Sequence, residues 1–185
     1  IMSDPVQSAL QEIERVGWHA IDAQKPVLDH WKSKADLLRD IGAYFDKMVA
    51  QDLDSMLDIT ASPRERLFET LMCRFDVLQT HRIAVRSIMH SATADPRDGA
   101  VILCALPTSM KRMLKLAGLR VSGLEGRLKA RVLGLVWLQV ARIWARDDSA
   151  DMAETMAVLD KELSRIEPLG ERLFPHDRKA VLERA

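Results

Sequence analysis

Apolar residues return every three or four positions along almost the whole of this chain, and no run alternates apolar with polar side chains between turn signals. A pattern of that period lays its apolar positions along one stripe of an α-helix and cannot present one clean face as a strand. The expected fold class is therefore all-α. One stretch is stricter still: residues 132–140 ("VLGLVWLQV") are apolar almost all round, and a helix without a polar side is buried on every side. The chain must supply helices to surround it.

Start signals place the other helices. Ser3 or Asp4 caps a first helix with Pro5 in its opening turn, and its stripe of Val6, Leu10 and Ile13 ends at the "GW" of 17–18. "PVLDHW" follows, with Pro26 set to open one or two helical turns. Ser33 caps a long helix reaching about residue 57, whose buried face is Leu37, Leu38, Ile41, Tyr44, Phe45, Met48 and Val49. Ser62, Pro63 and Glu65 form a capping box ahead of Leu67, Leu71, Phe75 and Leu78. "HRIAVRSIMHSA" continues as a shorter helix broken at "TADPRDG", and 97–117 reads as another, with a kink expected at Pro107. The last two start at Ser122 and Ser149, the final one striped by Met152, Met156, Leu159, Leu163 and Ile166.

These closing helices carry more apolar surface than one chain of 185 residues easily covers. A homodimer through a four-helix bundle is the economical solution, with Leu128, Val132, Leu135, Val136, Met152, Met156, Leu159 and Leu163 as its expected interface. The expected organisation is an N-terminal unit over 1–34, a helical body over 35–174 and a polar tail over 175–185.

Charge narrows the partners. Basic and acidic side chains balance at 27 each, so a globally basic nucleic-acid binder is not indicated. "KRMLKLAGLR" is a local basic block (Lys111, Arg112, Lys115, Arg120), read first as a solvated helix face. Cys73 and Cys104 lie in apolar helical runs with no CxxC or Cys/His spacing, which predicts buried free thiols and no metal site. No secretory leader is recognisable and "VLGLVWLQV" is too short to span a bilayer, so a soluble, cytoplasmic protein is expected.

No phosphate loop, nucleophile elbow, Cys/His dyad or histidine metal pair occurs, and the acidic residues at 147–154 suit a helix N-terminus. Neither catalysis nor a cofactor is expected. Binding has a better basis: Met72, Phe75, Leu78, Met89, Leu103, Leu106, Met110, Met113 and Trp137 are large, adaptable side chains suited to lining a site for an apolar small molecule or lipid.

A family resemblance rests on Val27, Leu28, His30, Trp31, Ser33, Lys34, Leu37 and Leu38, which follow an N-terminal helix ending in "GW" and open a long linking helix. This succession resembles the TetR-type transcriptional regulators, and "RERLFETLMCRFDVLQTHR" resembles the regulatory domain of one TetR subgroup. The resemblance implies a helix-turn-helix-type unit, here shortened, joined to a ligand-binding and dimerising body. It also implies operator DNA as a partner, reached by a recognition helix over about 24–31 with Lys25, His30, Trp31, Lys32 and Lys34 at the contact. "WARDDSADMAETMAVLDKEL" is similar to the end of the ubiquinone-biosynthesis lipid-binding proteins, which share the TetR fold and hold isoprenoid lipid instead of DNA. Residues 1–50 hold six basic and eight acidic side chains, a net of −2, which favours that second relative over a phosphate-binding surface.

Overall fold

A computed structural model describes residues 4–23, 29–53, 58 and 60–173. Among them the chain is mainly helical and contains no strand. Seven α-helices run in order: α1 (Pro5–Val16), α2 (Lys34–Leu53), α3 (Pro63–Gln79), α4 (Arg82–Ala94), α5 (Pro96–Leu116), α6 (Gly123–Trp144) and α7 (Ala153–Leu173), with a 3-10 segment over Trp18–Ala23.

Local chemistry explains the boundaries. The Asp4 carboxylate accepts from the Val6 N–H to start α1, and Pro5 loses nothing there because its missing N–H has no helical partner anyway. Gly17 ends α1 with φ +84°, a conformation costly for any side chain bearing a Cβ. Ser33 Oγ accepts from the Asp36 N–H at 3.2 Å and donates to its carboxylate at 2.8 Å. α3 has the complete capping box, Ser62 Oγ taking the Glu65 N–H and Glu65 returning to the Ser62 N–H. α5 starts on an Asp95 cap and continues unbroken through Pro107.

α5 lies at the centre, packed against α2, α3, α4 and α6; α6 pairs with α7, and α7 also covers α3. At the α5–α6 crossing Gly134 permits close approach, since a Cβ there would lie 3.3 Å from Leu106 Cδ2. The expected boundary near residue 34 does not divide two cores. α1 and the 3-10 segment pack on α4, and Ala9, Leu10, Ile13, Trp18 and Ile21 join the same apolar cluster as Leu71, Met113 and Leu159. Two bonds tie this segment down: the Trp18 indole N–H donates to Asp98 at 2.6 Å, and the Trp18 backbone N–H to Ser87 Oγ at 2.8 Å.

Among the described residues no helix is long and apolar enough to cross a membrane. Cys73 is buried as expected, but Cys104 is exposed, because its position on α5 falls on the outer side of that helix. The polar tail over 175–185 lies outside the described residues, as does the expected extension of α2 over 54–57.

The acidic turn before α7 does more than complement a helix dipole. Asp147 is buried and accepts from the Ser149 N–H and hydroxyl and from the Thr155 N–H and hydroxyl. Burial would raise its carboxyl, but these four bonds outweigh burial and hold the group well below the usual carboxylate range. A depressed folded-state pKa stabilises the fold above the ordinary carboxylate value of about 4 and is lost as acid drives the pH below it. Asp147→Asn should therefore melt lower than the parent at neutral pH, by the equivalent of about 1–2 kcal/mol. Thermal melts from about pH 6 down to about pH 2 should show that gap closing; a gap independent of pH contradicts the assignment.

Candidate functional site

Three regions compete as the functional site. The first is the junction at which the chain enters α2. Trp31 is half-buried and its indole N–H donates to Asp40 at 2.8 Å, nine residues on, so the ring lies back along the flank of α2. His30 is exposed, its ring 5.8 Å from that of Trp31. Lys32 is exposed, whereas Lys34 sets its ammonium 4.8 Å from the centre of the buried Trp18 ring. Lys25 lies outside the described residues, with 24–28 generally. The expected recognition helix over 24–31 needs correction at its described end: Asp29 and His30 form a turn and Trp31 is not helical. Ser33 stops any helix entering from this side, since its side chain already serves the first turn of α2.

The second region is the apolar body. Phe75, Leu78, Met110, Met113 and Trp137 are buried, Met72, Met89 and Leu106 half-buried, and Leu103 is exposed at 57%. Phe75 meets Trp137 edge-on with ring centres 4.6 Å apart, and its centre is 6.0 Å from that of Trp144. These side chains pack on one another as interior. Leu103 is the clear departure from the expected lining, because it falls on the outer side of α5.

Beside this interior lies a charge cluster that the apolar pattern hides. Asp46 of α2, 6% exposed, accepts from the Arg74 guanidinium of α3, from Ser109 Oγ at 2.6 Å and from Arg112 at 3.0 Å, both of α5. Arg74 is equally buried and stacks its guanidinium carbon 5.3 Å from the centre of the Trp137 ring. One carboxylate therefore ties α2, α3 and α5 together, and through Trp137 reaches α6. The signal in the sequence was register: Asp46 sits between Phe45 and Val49, and Arg74 between Leu71 and Leu78, on faces otherwise apolar.

The third region is a groove of about 280 Å3 between α2 and α3, lined by Tyr44, Met48, Asp52, Asp76, Val77 and Thr80. The buried Cys73 thiol of α3 is pushed up to about 11 by burial and by the charges of Asp52 and Asp76. Asp76 is exposed as a residue, yet partial desolvation of its carboxyl pushes its pKa up as well. Sequence reading passed over this groove because Tyr44 and Met48 were counted as core.

The expected dimer residues divide. Leu128, Leu135 and Met156 are exposed and Val132 is half-buried, but Val136, Met152, Leu159 and Leu163 are interior to the single chain. Leu124, 80% exposed, joins the outward set. Leu124, Leu128 and Leu135 are separated by four and seven residues, which places them within about 40° of one another around α6. Among the described residues no group of three or more metal-binding side chains converges. No family model matches the chain, and no curated protein or solved structure is significantly similar to it.

Proposed function

We propose that the chain is a homodimeric, TetR-like transcriptional regulator in which an apolar effector bound to the helical body alters operator binding by a shortened N-terminal unit. The observation that carries this reading is the placement of α2. It opens at the Trp31–Ser33 junction and is gripped at mid-length by Asp46, whose partners Arg74 and Arg112 belong to α3 and α5. A helix shared by both regions and held by groups that body helices would displace is a route for coupling two sites. The exposed Leu124, Leu128, Leu135 and Met156 supply the surface for a second copy.

The test is a shift assay on DNA from upstream of the protein's own gene, across salt concentrations, with the oligomeric state followed by sedimentation. The full chain should bind at low salt as a dimer and lose affinity steeply as salt rises. Leu128→Asp with Leu135→Asp should yield a folded monomer that binds that DNA at least about tenfold more weakly. Absence of binding at low salt sinks the regulator.

A second reading is favoured by the net −2 charge of residues 1–50: a TetR-fold lipid-binding accessory protein of quinone biosynthesis without a DNA partner. Native mass spectrometry of the gently extracted protein would then find isoprenoid lipid, and an empty body that takes up none rejects it.

A further inference from the structure

The overall balance of charge hides a strong asymmetry along the chain. Residues 96–146, which supply α5, α6 and the connection between them, hold ten basic and two acidic side chains, a net of +8. The rest of the chain holds 17 basic and 25 acidic ones, a net of −8. Both acids of the hairpin are engaged: Asp98 is buried on Trp18 and Ser91, and Glu125 pairs with Lys129 at 2.7 Å. The excess gathers at the end where α5 turns into α6. Lys111, Lys115, Arg120, Arg127 and Arg131 are exposed there, and their side chains have neither an ion pair nor a hydrogen bond among the described residues. Leu124, 80% exposed, stands among them in the first turn of α6, and the exposed Leu128 follows one turn on. Leu124, Arg127, Leu128 and Arg131 lie three, four and seven residues apart and so share one side of α6.

We propose that the tip of the α5–α6 hairpin docks on an anionic lipid bilayer, its cations at the headgroups and Leu124 and Leu128 at the acyl boundary. The argument joins charge complementarity to apolar exposure. Unpaired cations crowded at one hairpin end attract a negatively charged surface, and that attraction acts within a Debye length of it. Leucines standing out among the cations gain only where something apolar covers them. The long stems of Lys and Arg let their charges stay at headgroup level while a leucine goes deeper. Nucleic acid would answer the cations but leave Leu124 in water, and residues 111–131 contain no aromatic ring to stack on a base. Leu124 and Leu128 also belong to the surface assigned to a second copy, so bilayer and partner compete for the start of α6. Lys111, Lys115 and Arg120 lie outside that surface. No operator is involved, so failure of the promoter assay leaves the docking standing.

Vesicle flotation of the full chain tests this. The protein should float with phosphatidylcholine vesicles containing about one-third phosphatidylglycerol and stay behind with phosphatidylcholine alone. Raising the salt from about 0.05 M to about 0.5 M should release most of it. Lys115→Glu with Arg120→Glu should cut partitioning at least about tenfold, while Lys115→Arg with Arg120→Lys, which keeps both charges, should stay within about twofold of the parent. Leu124→Asn should weaken partitioning by about three- to tenfold, and Leu124→Met should leave it close to the parent. All three positions are exposed, so the variants should fold, which circular dichroism and melting against the parent check. Equal flotation with phosphatidylcholine alone, unchanged partitioning of the charge-reversed protein, or a preference for duplex DNA over anionic vesicles at equal phosphate each overturns the proposal.

Discussion

Asp46→Ala is expected to destabilise the protein by about 3–5 kcal/mol, because it leaves the buried Arg74 guanidinium without its carboxylate. For a chain of this length that is a fall of roughly 10 °C in Tm. The leg to Arg112 contributes less, since that side chain is about half exposed and its attraction is screened by water. The instructive comparison is Asp46→Leu combined with Arg74→Met. An apolar pair of similar volume removes the orphaned charge, and most of the loss should return. Equilibrium unfolding in urea measures both. A loss below about 1 kcal/mol in Asp46→Ala would mean that water reaches the guanidinium and that the cluster is not a joint between α2, α3 and α5.

The second large effect lies one residue along α3. Phe75→Ala should cost about 3–5 kcal/mol, since the ring is buried against Trp137 and Trp144 and the neighbouring helices close the gap only in part. Phe75→Leu, which keeps most of the volume, should cost about 1–1.5 kcal/mol. The pair distinguishes interior from ligand lining. A ring lining a roomy cavity loses few contacts on truncation, whereas a ring clasped by two indoles loses nearly all of them. Near-UV circular dichroism should follow the same order, because the Trp137 and Trp144 surroundings depend on that ring.

Much of the fold was legible because its signals are local. The Ser62–Pro63–Glu65 start of α3 is short-range chemistry, and that helix begins where the signal stands; "TADPRDG" likewise marked the break before α5, whose start at Pro96 lies one residue ahead of the expected 97. What was not legible depends on partners far along the chain. Asp46 is 28 residues from Arg74 and 66 from Arg112, and Trp18 is 80 from Asp98. Periodicity tells which side of a helix is apolar; it does not say which distant charge will answer one placed there. The 3-10 segment over Trp18–Ala23 escaped for another reason, being too short to show a period. Val136, Met152, Leu159 and Leu163 of the expected dimer set are interior to the single chain, because apolar residues all round α6 give no hint which of them a neighbour inside the same chain already covers. Exposure then separated Leu128 and Leu135 from Val136, and Met156 from Leu159.

Trp18 sets the mechanics of the N-terminal region. With its indole fastened to Asp98 of α5 and its backbone to Ser87 of α4, the segment over residues 4–23 is riveted across two body helices. It has no freedom to swing about the Trp31–Ser33 junction, since any such swing would uncover Leu10, Ile13 and Ile21 together. Any displacement of this segment would have to carry the ends of α4 and α5 to which Trp18 is bonded along with it. Under the proposed pairing of two copies, a change in spacing between their N-terminal segments would therefore require α4 and α5 to shift as well, rather than one hinge to open.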